Sequence, residues 1–188
     1  FFRLIFGFYH QPREVSRIFV FVDLTGSTSI AEKLTNKAYS AFIKDYFSDV
    51  SDAIMMYNGE IYQYAGDEII VAWPIRRNNL NCIRSFFKME EIIEKKKGKY
   101  LAKYGIVPQF KAGIHAGQVV VTSVGKQKKE IVYHGDVLNT ASRIEKKCTE
   151  LKQNLLISAD MFNYLTLGND FIAEEKGEIE LKGKTNKL

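Results

Sequence analysis

Residues 18–22 form an unbroken run of β-branched and aromatic side chains, the pattern of a buried strand. The run breaks at Asp23, and Gly26, Ser27 and Thr28 follow as small, turn-compatible residues able to start a helix. A helix over 29–34 passes through Thr35, Asn36 and Lys37 into a second helix ending near Tyr57, where Asn58-Gly59 opens a hairpin. In that hairpin Ile61, Gln63 and Ala65 alternate with Tyr62 and Tyr64, Gly66-Asp67 forms the turn, and residues 69–73 return. After Pro74 an amphipathic helix over about 78–97 turns Ile83, Phe86, Phe87 and Ile93 inward. Pro108 precedes two strands, 109–115 and 118–124, separated by a turn at Ala116-Gly117. A charged loop at 125–130, a helix over 137–148, a strand over 155–158, a helix over 159–165 and a hairpin through Gly177 complete an α/β sandwich.

Two carboxylates occupy the places where this pattern breaks. Asp23 ends the first strand beside backbone N–H groups suited to phosphate, and Asp67 lies on the tip of the hairpin. Acids on neighbouring strand ends can share two Mg²⁺ or Mn²⁺ ions roughly 3.5–4 Å apart, which activate an attacking oxygen and neutralise a leaving one. Asn139 and Arg143, four residues apart on a helix opening near Asp136, share one face and supply a charge stabiliser. Each feature has a plainer reading: Asp23 as a helix cap, Gly-Asp as a hairpin turn, Arg143 as a surface partner of Glu145. Their conjunction favours phosphoryl-transfer chemistry, in which positioning and charge neutralisation replace a nucleophilic side chain. The two cysteines and three histidines accordingly fall in no nucleophile-base pattern, and His115, in a strand beside Gly113, reads as a hydrogen-bonded core residue.

The blocks FVDLTGST, GEIYQYAGDE, FKAGIHAGQVV, YHGDVLNTASRIE and LKGK, in that order from about Arg17 onward, resemble the catalytic domain of the class III nucleotidyl cyclases. The resemblance implies a ferredoxin-like α+β core, with a mixed, mostly antiparallel sheet and flanking helices, working as a head-to-tail homodimer with shared active sites. It implies that Asp23, Asp67 and the backbone of Leu24 hold two Mg²⁺ or Mn²⁺ ions, and that Gly26, Ser27, Thr28, Lys111 and Lys182 contact the triphosphate. Asn139 would orient the ribose and Arg143 stabilise the α-phosphate, both from the other subunit, across which the 125–130 loop also reaches. Gln63 and Val132 take the base-reading positions, where adenylyl cyclases usually carry Lys with Asp or Thr and guanylyl cyclases Glu with a small residue. A Gln amide suits either purine and Val offers no hydrogen bond, so ATP is the expected substrate with GTP as the alternative and leaky discrimination between them.

Composition changes this picture little. A chain of 188 residues with 46% hydrophobic content can bury one core, and the net charge of +5 sits in lysine runs that solvated surfaces explain, with no nucleic-acid motif. Cys82 and Cys148 match no metal spacing and suit a reducing cytoplasm. Residues 1–16 open with FFRLIFGFY, too short to span a bilayer, which needs about 20 apolar residues, and unlike a signal peptide. They read as a linker from an upstream, membrane or sensor region, leaving 17–188 as a catalytic domain on the cytoplasmic side, tethered or free. Competing readings are a diguanylate cyclase, suggested by YAGDE but not expected to carry Asn-x3-Arg; a catalytically silent cyclase-like binding or dimerisation module; and a generic phosphate-binding protein, which leaves Asp67 and Arg143 unexplained.

Overall fold

A computed structural model of the protein describes residues 11–76, 80–125 and 129–178. In chain order the elements are β1 (Arg13–Leu24), α1 (Ser27–Lys33), α2 (Asn36–Met56), β2 (Glu60–Ala65), β3 (Glu68–Pro74), α3 (Asn81–Lys95), α4 (Lys97–Tyr104), β4 (Phe110–Val124), β5 (Glu130–His134), α5 (Asp136–Leu151), β6 (Leu155–Ile157) and α6 (Ala159–Phe162). The strands form one sheet in the order β2-β3-β1-β4-β5, with β6 on the β5 side of β4. Every pairing is antiparallel except that of β6 with β4. This is the α+β architecture with a mixed, mostly antiparallel sheet that the resemblance implies.

The alternation along β1 divides the core. Ile18, Val20, Val22 and Leu24 join the larger cluster with Phe42, Tyr46 and Ile54 of α2 and Ile83, Phe86 and Met89 of α3. Phe19 and Phe21 face the other way, toward Val137 and Ala141 of α5 and Tyr133 of β5. The sheet curls on that side enough to bring the rings of Phe19, Tyr62 and Tyr133 together edge-on, with Tyr62 and Tyr133 5.1 Å apart. Buried Asp49 of α2 accepts from Lys96 at 2.6 Å and from the Tyr100 hydroxyl at 2.8 Å, which fastens α4 to α2.

Four features depart from the sequence reading. β4 runs straight through Ala116-Gly117, which pair with Ile18 and Arg17 of β1, so no turn divides it. Gly117 is there for contact: a Cβ at this position would lie 2.7 Å from Val137 Cγ2 of α5. The alternation in β2 is broken by a bulge between Ile61 and Gln63. Ile61 and Tyr64 consequently share the α2 side, Tyr64 stacking on Phe47 at 4.8 Å, while Tyr62 turns to the α5 side. Phe87 lies off the buried stripe of α3 and is 45% exposed, stacked on Phe171. Finally, α6 stops at Phe162, and residues 171–178 carry no strand; the second arm of the expected terminal hairpin lies outside the described residues.

β1 begins at Arg13 and pairs from there with Val121 of β4, so the strand extends back into the segment read as linker. No helix among the described residues is long and apolar enough to cross a membrane.

If Gly117 serves contact and not turning, Gly117→Ala should destabilise the domain by about 1–3 kcal/mol through overpacking. Val137→Ala in the same chain should recover most of that loss by vacating the space. Chemical denaturation of the single and double variants checks both, and an additive double variant would sink the contact argument.

Candidate active site

The register of the sheet builds one polar row where three strands end. Glu68 of β3 lies opposite Asp23 of β1, which lies opposite Lys111 of β4. Asp67 adjoins the row from the two-residue turn between β2 and β3, next to Gly66 in the left-handed conformation at φ 66°. Above the row lies α5, held close because Gly113 has no side chain: a Cβ there would overlap the Glu145 amide nitrogen.

Lys111 ties the row to the helix. Its ammonium donates to Thr149 Oγ1 at 2.8 Å and pairs with Glu145 Oε1 at 3.2 Å and Asp23 Oδ2 at 3.5 Å. Burial works against the lysine's charge, but Glu145 and then Asp23 outweigh it and hold the ammonium above its ordinary range. Glu145 is 2% exposed, its carboxyl pushed up by burial and by the charge of Asp23 against the pull of Lys111. Taking away one partner of such a buried pair costs about 3–5 kcal/mol, because the other charge is left uncompensated.

The acids repel one another. Asp23 is raised by burial and then by the charge of Asp67, with Lys111 acting in the opposite sense. Burial, followed by Glu145 and Asp23, lifts Glu68 to about 7. Four carboxylates, Asp23, Asp67, Glu68 and Glu145, thus face two lysines, Lys111 and Lys146, and a divalent ion at Asp23 and Asp67 would relieve the excess. Among the described residues no three His, Cys, Asp or Glu side chains gather as a metal cage. Two carboxylates with open positions suit Mg²⁺ or Mn²⁺, which share their coordination with water and phosphate oxygens. The Leu24 side chain is buried in the core, leaving only its backbone carbonyl for such a role.

The other residues singled out in the sequence are distributed as follows. Gly26, at φ 72°, precedes α1, whose first turn carries Ser27 and Thr28 immediately beyond Asp23. Asn139 is exposed on α5, and Arg143, one turn on, is half-buried. Arg143 Nη1 is enclosed without a hydrogen-bond partner, and Glu145 pairs with Lys111 in place of the surface pairing with Arg143. The charges that weigh on Asp23 are Asp67, Lys111 and Lys146. Gln63 is exposed on β2 and Val132 half-buried on β5, at opposite ends of the β2-β3-β1-β4-β5 order. Lys182 lies outside the described residues, as does part of the 125–130 loop. His115 is a core residue, its Nδ1 2.7 Å from Ser158 Oγ. Burial pushes the thiols of Cys82 and Cys148, both free, up to about 12.

Glu145 and Glu68 were missed by the motif reading. The signal for Glu145 is its place in the buried stripe of α5, with Val137, Ala141 and Cys148. A charged residue at an apolar position of an amphipathic helix implies a buried partner.

The chain matches the adenylate and guanylate cyclase catalytic domain over residues 9–188 and belongs to that family. It is 36% identical over 190 residues to adenylate cyclase 2 of Rhizobium meliloti (strain 1021), covering 100% of this chain and 52% of that protein. It is 29% identical over 172 residues to adenylate cyclase 1 of the same organism, covering 84% of this chain and 25% of that one. The chain therefore spans about half the length, or less, of these curated relatives. In fold it resembles the crystal structure of the guanylyl cyclase Cya2, with a TM-score of 0.82 at 20% identity over 95% of this chain and 90% of the other.

Because Asp67 contributes repulsion at Asp23, Asp67→Asn should not weaken the fold in metal-free buffer. Its stability should stay level or rise by about 0.5 kcal/mol, the scale of a like-charge pair across a sheet. Wild type should melt higher as Mn²⁺ is added, and the variant should lose most of that shift. Thermal denaturation with and without Mn²⁺ reads both; an equal Mn²⁺ shift in the variant would place the cation elsewhere.

Proposed function

We propose that this domain cyclises a purine nucleoside triphosphate, ATP before GTP, releasing pyrophosphate and making a cyclic nucleotide messenger. The observation that carries the reading is that Asp23, near the end of β1, lies opposite Glu68, the residue that follows Asp67 of the β2–β3 turn, so that the two acids stand at adjoining strand ends. The family match and the adenylate cyclase relatives support it.

Ring closure requires the ribose 3′ oxygen to attack the α-phosphorus while pyrophosphate leaves in line. Catalysis then consists of holding that line and balancing the charge that builds on the phosphate. Asp23 and Asp67 would hold divalent cations, which would supply positive charge beside the phosphates. The backbone at Gly26, Ser27 and Thr28 steers phosphate oxygens, and Lys182 reaches the terminal phosphates. Asn139 orients the ribose. Arg143 meets charge that develops only as the α-phosphate becomes pentavalent, a contribution of about 3–4 kcal/mol by the measure of single oxyanion donors.

Asn139 and Arg143 act in the site of a second copy, so that two chains arranged head to tail build two shared sites. Support for this arrangement comes from Arg143 Nη1, which has no hydrogen-bond partner among the described residues. At the base Gln63 provides a donor and an acceptor and Val132 neither, which supports a modest preference between purines.

The purified domain should turn over ATP with Mg²⁺ or Mn²⁺ faster than GTP, with kcat/KM differing by less than about a hundredfold. Asp23→Ala and Asp67→Ala should each abolish cyclisation without unfolding the chain; near-normal turnover in either would refute the metal assignment.

The shared site makes a second prediction. Asp67→Ala and Arg143→Ala, each inactive alone, should partly recover activity when mixed, because one of the two sites in each hybrid dimer keeps both residues. Mixtures shown to exchange subunits yet remaining inactive would indicate a site within one chain.

A further inference from the structure

Tyr46 breaks a rule of the core it belongs to. It lies in the apolar layer between α2 and the sheet, 0% exposed, in one cluster with Val22 and Leu24, the two residues that flank Asp23. Its ring is 6.1 Å from that of Phe110 and 5.6 Å from that of Phe47, on which Tyr64 of the hairpin stacks. Leu24 is the last residue of β1 and Phe110, its partner, the first of β4, so the ring packs at the strand ends where the acid row stands. Its hydroxyl is enclosed with no hydrogen-bond partner among the described residues. For stability alone phenylalanine would serve better, since it fills the same space and encloses no unpaired oxygen.

The charges that reach this hydroxyl are those of the acid pair. Burial, then Asp23 and Asp67, push the Tyr46 phenol well above its ordinary range. Tyr39, seven residues earlier and so on the same side of α2, is raised by burial and by the same two acids. The Tyr46 phenol therefore keeps its proton, and beside carboxylates it can act as a donor.

We propose that Tyr46 is a positioning residue for the cation site, its hydroxyl donating toward the Asp23–Asp67 pair, directly or through one enclosed water, once the acids hold a cation. The inference rests on the reading of these acids as cation ligands. A neutral donor fixes the orientation of a coordinating carboxylate without cancelling its charge, whereas a lysine or arginine in the same place would compete with the cation. An oxygen that is a burden to the core thus has a use at the site.

Tyr46→Phe removes the hydroxyl and keeps the ring. Thermal denaturation in metal-free buffer compares it with wild type, and titration calorimetry measures the Mn²⁺ affinity of both. In metal-free buffer the variant should melt at or above the wild-type temperature, because no bond is lost and an enclosed polar group is removed. It should bind Mn²⁺ about tenfold more weakly, the scale on which the hydrogen-bond partners of metal ligands act.

Mn²⁺ affinity within about twofold of wild type would overturn the proposal, since a tyrosine that only fills the core leaves the cation untouched. A metal-free melting temperature clearly below wild type would overturn it too, by showing the hydroxyl bonded within the resting chain. Asp67→Asn separates this inference from the metal reading beneath it. A wild type that takes no Mn²⁺, or an Asp67→Asn chain that binds it as tightly as wild type, overturns both; loss of Mn²⁺ in Asp67→Asn beside full affinity in Tyr46→Phe overturns only the inference.

Discussion

At Gly113 the backbone of α5 comes so near β4 that no side chain could stand between them, and four residues on Gly117 leaves room for Val137 in the same way. These two gaps in the side-chain layer let the helix sit directly on the strand. The consequence is electrostatic as well as steric. Glu145 is carried into the sheet, where it is 2% exposed and pairs with Lys111, and Lys111 in turn lies opposite Asp23. The position of a proposed metal ligand on β1 is thereby coupled to the seating of α5, the helix that also carries Asn139 and Arg143.

The acid row is built at a cost to the fold. Burial and the charges of neighbouring carboxylates raise Asp23, Glu68 and Glu145, with Lys146 acting against all three and Lys111 against Asp23 and Glu145. A structure selected for stability alone would place fewer carboxylates here. Excess negative charge held on rigid strand ends is, however, the condition under which a loosely coordinated divalent cation binds and still leaves room for phosphate oxygens. The helices on the opposite face supply the compensation through an ordinary apolar core, in which Val20, Val22, Ile69 and Val71 pack against α2 and α3.

Local chemistry is what the sequence made legible. The break after residues 18–22 and the Gly66-Asp67 turn each depend on a few adjacent residues, and both acids lie where those signals put them. Errors arose where a residue answers to a distant one. Ala116-Gly117 has the composition of a turn, but its glycine is required by Val137, 20 positions away in the numbering and on another element. The bulge in β2 follows from pairing with β3, and it undoes an alternation that looked regular along the chain. Glu145 was passed over as the companion of Arg143, its neighbour in sequence, when its partner is Lys111, brought in by the packing of α5 on β4.

Glu145 and Arg143 stand two residues apart on one helix and meet opposite environments: Glu145 is buried under the helix and paired with Lys111, and Arg143 is half-buried with an enclosed nitrogen that no described residue pairs. A helix turns about 200° over two residues, so side chains at this spacing leave on opposite sides. The side of α5 that bears Glu145 is thus committed to its own sheet. On the side that bears Arg143, the enclosed Nη1 has no hydrogen-bond partner among the described residues. One helix thus carries residues of both halves of the proposed chemistry: Glu145, which pairs with the Lys111 beside Asp23, and Asn139 and Arg143, the residues proposed for the site of a second copy.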